Sequence, residues 1–261
     1  RDDVESRGLG DVYKRQPLFD LYDALFSATS GAIDPCVGED LIRLGYDASL
    51  SFTVTQDAPE HLGALRGRAV WGRDVTRHGT TLVTHEPMQL DFGACGKGYL
   101  VDLLGRMLQS SQFVIDAGGD LLIHAEQPIS VALEDPEDQS HAIGIAHIAN
   151  GALCASAPSR RHWNVAVNER TQIAIHHLLN AIDGLPAQQT EASWAYVPAN
   201  ATLNLARDYP TAVADGLATA LFVSDVAQLQ RTFDFTYATL DESRQIAVSR
   251  NFPADLFLRS A

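Results

Sequence analysis

Apolar residues fall at helical spacing from Pro17 onward. Leu18, Leu21 and Leu25, with Phe19, Tyr22 and Phe26 beside them, predict a helix that stops at the Ser30-Gly31 break. Asp34-Pro35 and Gly38 then mark a loop, and Leu41, Ile42 and Leu44 make a short amphipathic turn closed by Gly45, as a helix C-terminus is. Residues 53–67 read as loop around Pro59. From Ala69 the period shortens: Ala69-Val70-Trp71, Val75-Thr76, Thr81-Leu82-Val83 and Gln89-Leu90-Asp91-Phe92 predict strands, punctuated by Gly72, Gly79 and Pro87. The glycine-rich break from Gly93 to Gly98 leads into Leu100, Val101, Leu103, Leu104 and Leu108, again at helical spacing.

Further strands are predicted at Phe113 to Asp116, Leu121 to His124, Ile129 to Leu133, Ile143 to Ile148, Ala152 to Ala155 and Trp194 to Val197, with turns at Gly118-Gly119 and Asp135-Pro136. Thr211 is placed to cap a helix running to about Val223. Strands and helices mix without a repeating βα unit. That pattern predicts an α+β fold with mixed or antiparallel sheets and packed helices, not a doubly wound sheet. Arg1 to Gln16 is polar, charged and free of either period, so it reads as a leader without fold ahead of one domain over 17–261.

Composition narrows the partners. With 261 residues and 46% hydrophobic content the chain can bury a substantial core. A formal charge of −14 repels polyanions, which sets nucleic acid aside as a general partner; an anionic small molecule stays possible where a cation and backbone N–H groups reverse the local potential. Cys36, Cys95 and Cys154 have no CxxC pairing and read as small buried hydrophobes. No apolar run approaches the roughly 20 residues of a membrane-spanning helix, so the chain is not expected to be transmembrane itself.

Three places carry candidate chemistry. Leu90 to Asp102 puts three glycines and Lys97 between a predicted strand and helix, where backbone N–H groups, a helix N-terminus and one ammonium can meet a phosphate. The spacing fits neither the P-loop nor the dinucleotide fingerprint. Asp215 and Thr219 stand one helical turn apart and offer a carboxylate and a hydroxyl on one face, hard ligands suited to Mg²⁺ on a nucleotide. His177 is a candidate general base or flavin contact, since an imidazole titrates near working pH. Each also has a plain structural reading: a strand-to-helix turn with a solvated lysine, a helix-start carboxylate with a back-bonded threonine, and a core or surface histidine.

The order of five segments carries a resemblance. Ser30 to Gly38 (SGAIDPCVG) resembles the early Gly-Asp-Pro-x-Val-Gly segment of the flavin transferase family often called ApbE. Leu90 to Asp102 is similar to its Leu-Asp…Lys-Gly-Tyr element, and Gly118-Gly119-Asp120 to its Gly-Gly-Asp turn. His177 to Gly184 resembles a His-Ile-Ile-Asp-Pro-x-Thr-Gly element and Asp215 to Thr219 an Asp-Ala-Leu-Ala-Thr element. Asn180 and Ala181 stand where Asp-Pro is usual, Asp183 where Thr is common, and the family's Thr-Ser-Gly appears as Ala155-Ser156-Ala157.

The resemblance implies a two-lobed single domain that uses Mg²⁺ to transfer FMN from FAD, its substrate, to a Thr or Ser hydroxyl of a target protein, releasing AMP. It implies metal ligation by the Asp215 carboxylate, the Thr219 hydroxyl and the carbonyls of Ala94 and Ala218. Lys97 would face the pyrophosphate, Gly118, Gly119 and Asp120 would lie along the flavin, and His177 would be base or ring contact. The acceptor implied is a membrane-bound redox subunit, met in the bacterial periplasm, at its membrane, or in the cytoplasm. The polar leader stands where the family has an N-terminal strand and helix. Two other outcomes fit the same residues: a Mg²⁺-dependent FAD pyrophosphatase giving FMN and AMP, and a flavin-binding module without turnover.

Overall fold

The computed structural model describes residues 8–168 and 171–257. Helix α1 (Gly8–Ala28) leads through α2 (Gly38–Arg43), α3 (Ala58–His61) and α4 (Trp71–Asp74) to a hairpin of β1 (Val75–His78) and β2 (Thr81–Thr84). Helix α5 (Gly96–Gly105) precedes β3 (Phe113–Asp116), β4 (Asp120–Glu134) and β5 (Ala142–Ser156). Two small hairpins follow: β6 (His162–Asn168) with β7 (Thr171–His176), and β8 (Leu179–Asn180) with β9 (Leu185–Pro186). Strand β10 (Thr190–Pro198), helices α6 (Asn204–Asp208), α7 (Pro210–Ala220) and α8 (Val226–Leu229), and strands β11 (Thr236–Asp241), β12 (Ile246–Val248) and β13 (Ala254–Leu256) complete the chain.

The central sheet runs β12-β11-β10-β5-β4-β3, with β13 pairing the first half of β5. Every pairing is antiparallel, and Ala195 lies opposite Cys154 and Tyr237 in the middle. Side-chain alternation separates two cores. Ala152, Cys154, Ala195 and Val197 face α7 and α1, where Leu21, Tyr22, Leu25, Val213 and Leu217 are buried. Leu153, Ala192 and Trp194 face the opposite way, against Ile143, Ile148, Leu240 and Phe252. A third, smaller core joins Leu41 and Leu44 to Trp163, Ile175 and Leu179. The α+β, antiparallel architecture agrees with the periodicity.

Several expected boundaries shift. The backbone of α1 starts at Gly8, inside the stretch read as an unfolded leader, with Pro17 within the helix. Once a helix is nucleated, polar residues extend it at small cost, and a proline removes one ladder bond without ending it here; residues 1–7 lie outside the described residues. Trp71 starts a helical turn rather than ending a strand, because its N–H reaches the buried Asp34 carboxylate (3.2 Å to Oδ2). Gln89 to Phe92 is extended but pairs with no strand; Asp91 N–H donates to Pro35 O at 2.7 Å. Thr211 sits inside α7 rather than capping it, for a reason that belongs to the site.

Candidate functional site

Helices α5 and α7 approach so closely that only glycine fits at Gly98: an added Cβ would lie 2.7 Å from Thr211 C and 2.9 Å from Asp215 Cβ. The contact lets each helix supply the other's missing hydrogen-bond partner. Gly98 N–H, in the first turn of α5, donates to Asp215 Oδ2 at 2.9 Å. In return Asp102 of α5 accepts from Thr211 N–H (3.0 Å) and Ala212 N–H (2.8 Å) at the start of α7. The cap expected from Thr211 is thus delivered by a carboxylate from 109 residues earlier. Burial pushes the Asp102 pKa up to about 6 despite those donors.

Asp215 is buried, and its pKa is driven well up, first by desolvation and then by the negative charge of Asp120. Asp120 is fully buried at the start of β4 and is also raised by burial, while Lys97 opposes that rise. The Lys97 ammonium sits 2.8 Å from Asp120 Oδ2 and 3.4 Å from Gly118 O. The Gly118-Gly119 turn holds this geometry with φ of 70° and 100°, conformations that suit glycine, and both N–H groups donate to Asp116 Oδ1 (2.8 and 3.1 Å). Two neighbouring carboxylates therefore share one ammonium in a desolvated place. If both are ionised the group is one negative charge in excess, the setting in which a bound cation is favoured.

The donors named for Mg²⁺ fit that need. Thr219 lies one turn beyond Asp215 on α7, and both border the same cavity. The ladder of α5 begins at Cys95 O, which accepts from Tyr99 N–H, so the Ala94 carbonyl lies outside it. At the end of α7 the last turn tightens: Phe222 N–H goes to Thr219 O, and Ala218 O accepts instead from Ser193 Oγ at 2.6 Å. Both carbonyls keep lone-pair capacity for a hard cation. Among the described residues no group of three or more His, Cys, Asp or Glu is placed to hold a metal. A site of one carboxylate, one hydroxyl and main-chain carbonyls is of another kind, the one Mg²⁺ completes with water and phosphate.

Asp215, Thr219, Ala94, Lys97, Gly118 and His177 all line one cavity of about 420 Å³, within the ordinary range of small-molecule sites. Gly119, Asp120 and Ala218 lie behind its wall, acting on it through the turn, the ion pair and the carbonyl. His177, which follows β7, is half-buried, and its pKa falls to about 4, first from desolvation and then from the positive charges of Arg161 and Lys97. It is neutral at pH 7. Its Nδ1 is 3.2 Å from Arg161 O; a carbonyl only accepts, so Nδ1 carries the proton and Nε2 keeps its lone pair.

Other residues of the cavity have no counterpart in the motif reading. Arg161 and Tyr46 both line it, joined by a 3.1 Å hydrogen bond from the guanidinium to the phenol oxygen. Asp34, which also lines the cavity, pairs with Arg68, whose fully buried side chain is 3.6 Å from Asp34 Oδ2 and 2.7 Å from Asp40 Oδ2. Arg68 also donates to Ala181 O at 2.6 Å, and Ala181 N–H to Ala32 O at 3.0 Å, which ties the segment after His177 to the Asp34 loop. The only hint in the sequence is an arginine next to the apolar run Ala69-Val70-Trp71.

No curated protein matches the sequence. Among solved structures, an ApbE protein of Thermotoga maritima superposes with a TM-score of 0.73 at 20% identity, covering 91% of this chain and 77% of that one. The flavin transferase ApbE of Vibrio cholerae gives 0.66 at 18% identity, covering 92% and 75%. The apo form of a Pseudomonas stutzeri flavinyl transferase ApbE also gives 0.66 at 18%, covering 93% and 75%. These likenesses establish the fold. The sequence itself matches the model of the ApbE family over residues 17–239, a span that holds every segment from the Asp34 loop to the Asp215 helix, and the chain belongs to that family.

Proposed function

We propose that the protein transfers FMN from FAD to a Thr or Ser hydroxyl of a target protein in a Mg²⁺-dependent reaction that releases AMP. One observation carries this reading: Lys97, His177 and the Asp215–Thr219 pair, three places far apart in the chain, border a single cavity in a member of the ApbE family. The structural likeness to the flavin transferases of Vibrio cholerae and Pseudomonas stutzeri supports it. The acceptor is proposed to be a membrane-bound redox subunit; among the described residues of this chain no helix is long and apolar enough to cross a membrane.

In the reaction the acceptor oxygen forms a bond to the FMN phosphorus. The bond from that phosphorus to the bridging oxygen breaks, and AMP leaves with that oxygen. The acceptor's proton goes to His177 Nε2. The imidazole is a weak base while the cavity is empty, because burial and two cations disfavour its charge. A diphosphate beside it adds negative charge and raises its pKa, so its basicity grows when substrate is present. Lys97 balances charge on the diphosphate while remaining paired to Asp120. Held by Asp215, Thr219 and the Ala94 and Ala218 carbonyls, Mg²⁺ would supply charge neutralisation at the diphosphate.

The test incubates the protein with FAD, Mg²⁺ and a Thr- or Ser-containing acceptor peptide and reads AMP and peptide mass together. Equal AMP and FMN-sized mass gain is expected. AMP without mass gain would make the protein a pyrophosphatase, and FAD binding without AMP a flavin-binding module; either overturns the transferase reading.

A further inference from the structure

Arg161 occupies an unusual position between two parts of the cavity. Its main-chain carbonyl fixes the tautomer of His177, and both Arg161 and Tyr46, which its guanidinium meets, line the same cavity. The side chain is anchored rather than free. It donates to Tyr46 Oη at 3.1 Å, and the Tyr46 ring stacks on Trp163 with centroids 5.9 Å apart and planes 14° from parallel. Trp163 is itself buried and donates from Nε1 to Leu44 O at 3.0 Å. Among the described residues no acidic side chain lies within ion-pair distance of Arg161, whereas the cavity's other lining cation, Lys97, is committed to Asp120. An arginine held on a rigid aromatic, with donors to spare, is arranged to meet planar oxyanions.

Resting on the FAD reading above, we propose that Arg161 is the phosphate-recognising residue of this cavity, making it select flavins and nucleotides that carry a diphosphate over riboflavin. The guanidinium contacts a phosphate of the bound dinucleotide. Through the His177 contact, the same residue places that phosphate next to the proton acceptor. Tyr46 and Trp163 keep the guanidinium at the wall so that little side-chain freedom is lost on binding.

The experiment measures dissociation constants of FAD, ADP and riboflavin for the full chain and for R161Q, R161K and Y46F, with Mg²⁺ held constant. For R161Q, FAD and ADP are expected to weaken about tenfold, the order for losing one charge-assisted contact, while riboflavin is unchanged. R161K, which keeps the charge but cannot fork to phosphate and Tyr46 together, should lose several-fold for ADP, and Y46F less. ADP affinity in R161Q equal to wild type, or an equal loss for riboflavin, would overturn the proposal. Should R161Q fail to fold, R161K decides: wild-type ADP affinity there refutes the guanidinium role. Failure of the wild type to bind FAD at all would instead strike the function proposed above. A ¹⁵N spectrum of His177 in R161Q should still show Nδ1 protonated, because the carbonyl remains; this readout separates charge loss from collapse of the segment.

Discussion

Gly98→Ala gives a test whose sign decides. By helix propensity alone, alanine should stabilise the start of α5 by up to about 1 kcal/mol. The packing predicts the opposite. The new methyl would meet the Thr211 carbonyl, with Thr211 C at 2.7 Å and Asp215 Cβ at 2.9 Å, and a backbone carbonyl cannot rotate away as a side-chain tip can. Helices α5 and α7 must part by a sizeable fraction of an ångström, which for an overpacked core costs about 1–3 kcal/mol. Separation also stretches the Gly98–Asp215 and Asp102–Thr211 and –Ala212 bonds, now 2.8 to 3.0 Å. Hydrogen bonds to charged groups are worth about 1.5–3 kcal/mol each, so their partial loss adds a similar amount. Net destabilisation should be about 3 kcal/mol, or a Tm lower by about 6–12 °C for a chain of this size. Gly96→Ala is the control within the same helix: its Cβ would have Phe92 Cβ as nearest neighbour at 3.9 Å, and Tm should hold or rise. Urea midpoints and thermal scans of both variants check this. A Gly98→Ala protein as stable as wild type would refute the reciprocal capping of α5 and α7.

Other substitutions probe the remaining contacts. Asp215→Asn keeps an oxygen for Gly98 N–H but removes a charge that burial and Asp120 both oppose; thermal scans should show a Tm equal to or above wild type without Mg²⁺, no rise on adding it, and no AMP release. Retained Mg²⁺-stimulated AMP release would exclude Asp215 as its ligand. Arg68→Met strands Asp34 and Asp40 as buried carboxylates without their cation and should cost about 3–5 kcal/mol, read from the urea midpoint; a loss under about 1 kcal/mol would refute the network. For His177, the folded pKa of about 4 lies below the unfolded value of about 6.5, so the unfolded chain takes the proton first, and stability present above pH 6.5 is lost as pH falls towards 4. Asp40 and Asp102, raised to about 6, contribute with the opposite sign, so the test is the difference between wild type and His177→Gln across that window. A His177 ring that titrates near 6.5 by NMR would remove the basis for its neutral form.

The motif residues were legible because their chemistry is local: a glycine run before a helix, a Gly-Gly turn, and a carboxylate and hydroxyl one turn apart are visible without knowing the fold. What joins them is not local. Asp102 looks like one more polar position on α5, yet it caps a helix at Thr211, and Arg68 looks like a loop arginine, yet it ties Asp34, Asp40 and Ala181. The β6–β7 hairpin escaped notice, and with it Trp163, the support of Arg161 and Tyr46. Strands β12 and β13, three residues each, are too short to show alternation and lean on neighbours already in the sheet. Alternation at Val75-Thr76 and Thr81-Leu82-Val83 marks two strands but not their partner; they pair with each other in a separate two-stranded hairpin.

The three thiols have a practical consequence. Cys36, Cys95 and Cys154 are free and buried, with pKa values pushed upward first by desolvation, and each adjoins a residue of the cavity wall: Val37, Ala94 and Ala155. Neutral and out of solvent, they are poor nucleophiles, so native protein should ignore thiol reagents and mild oxidants alike. Any alkylation that does occur must wait for the surrounding segment to open. The rate at which each cysteine is labelled, with and without nucleotide, is therefore a built-in clock for how often the wall beside it comes apart.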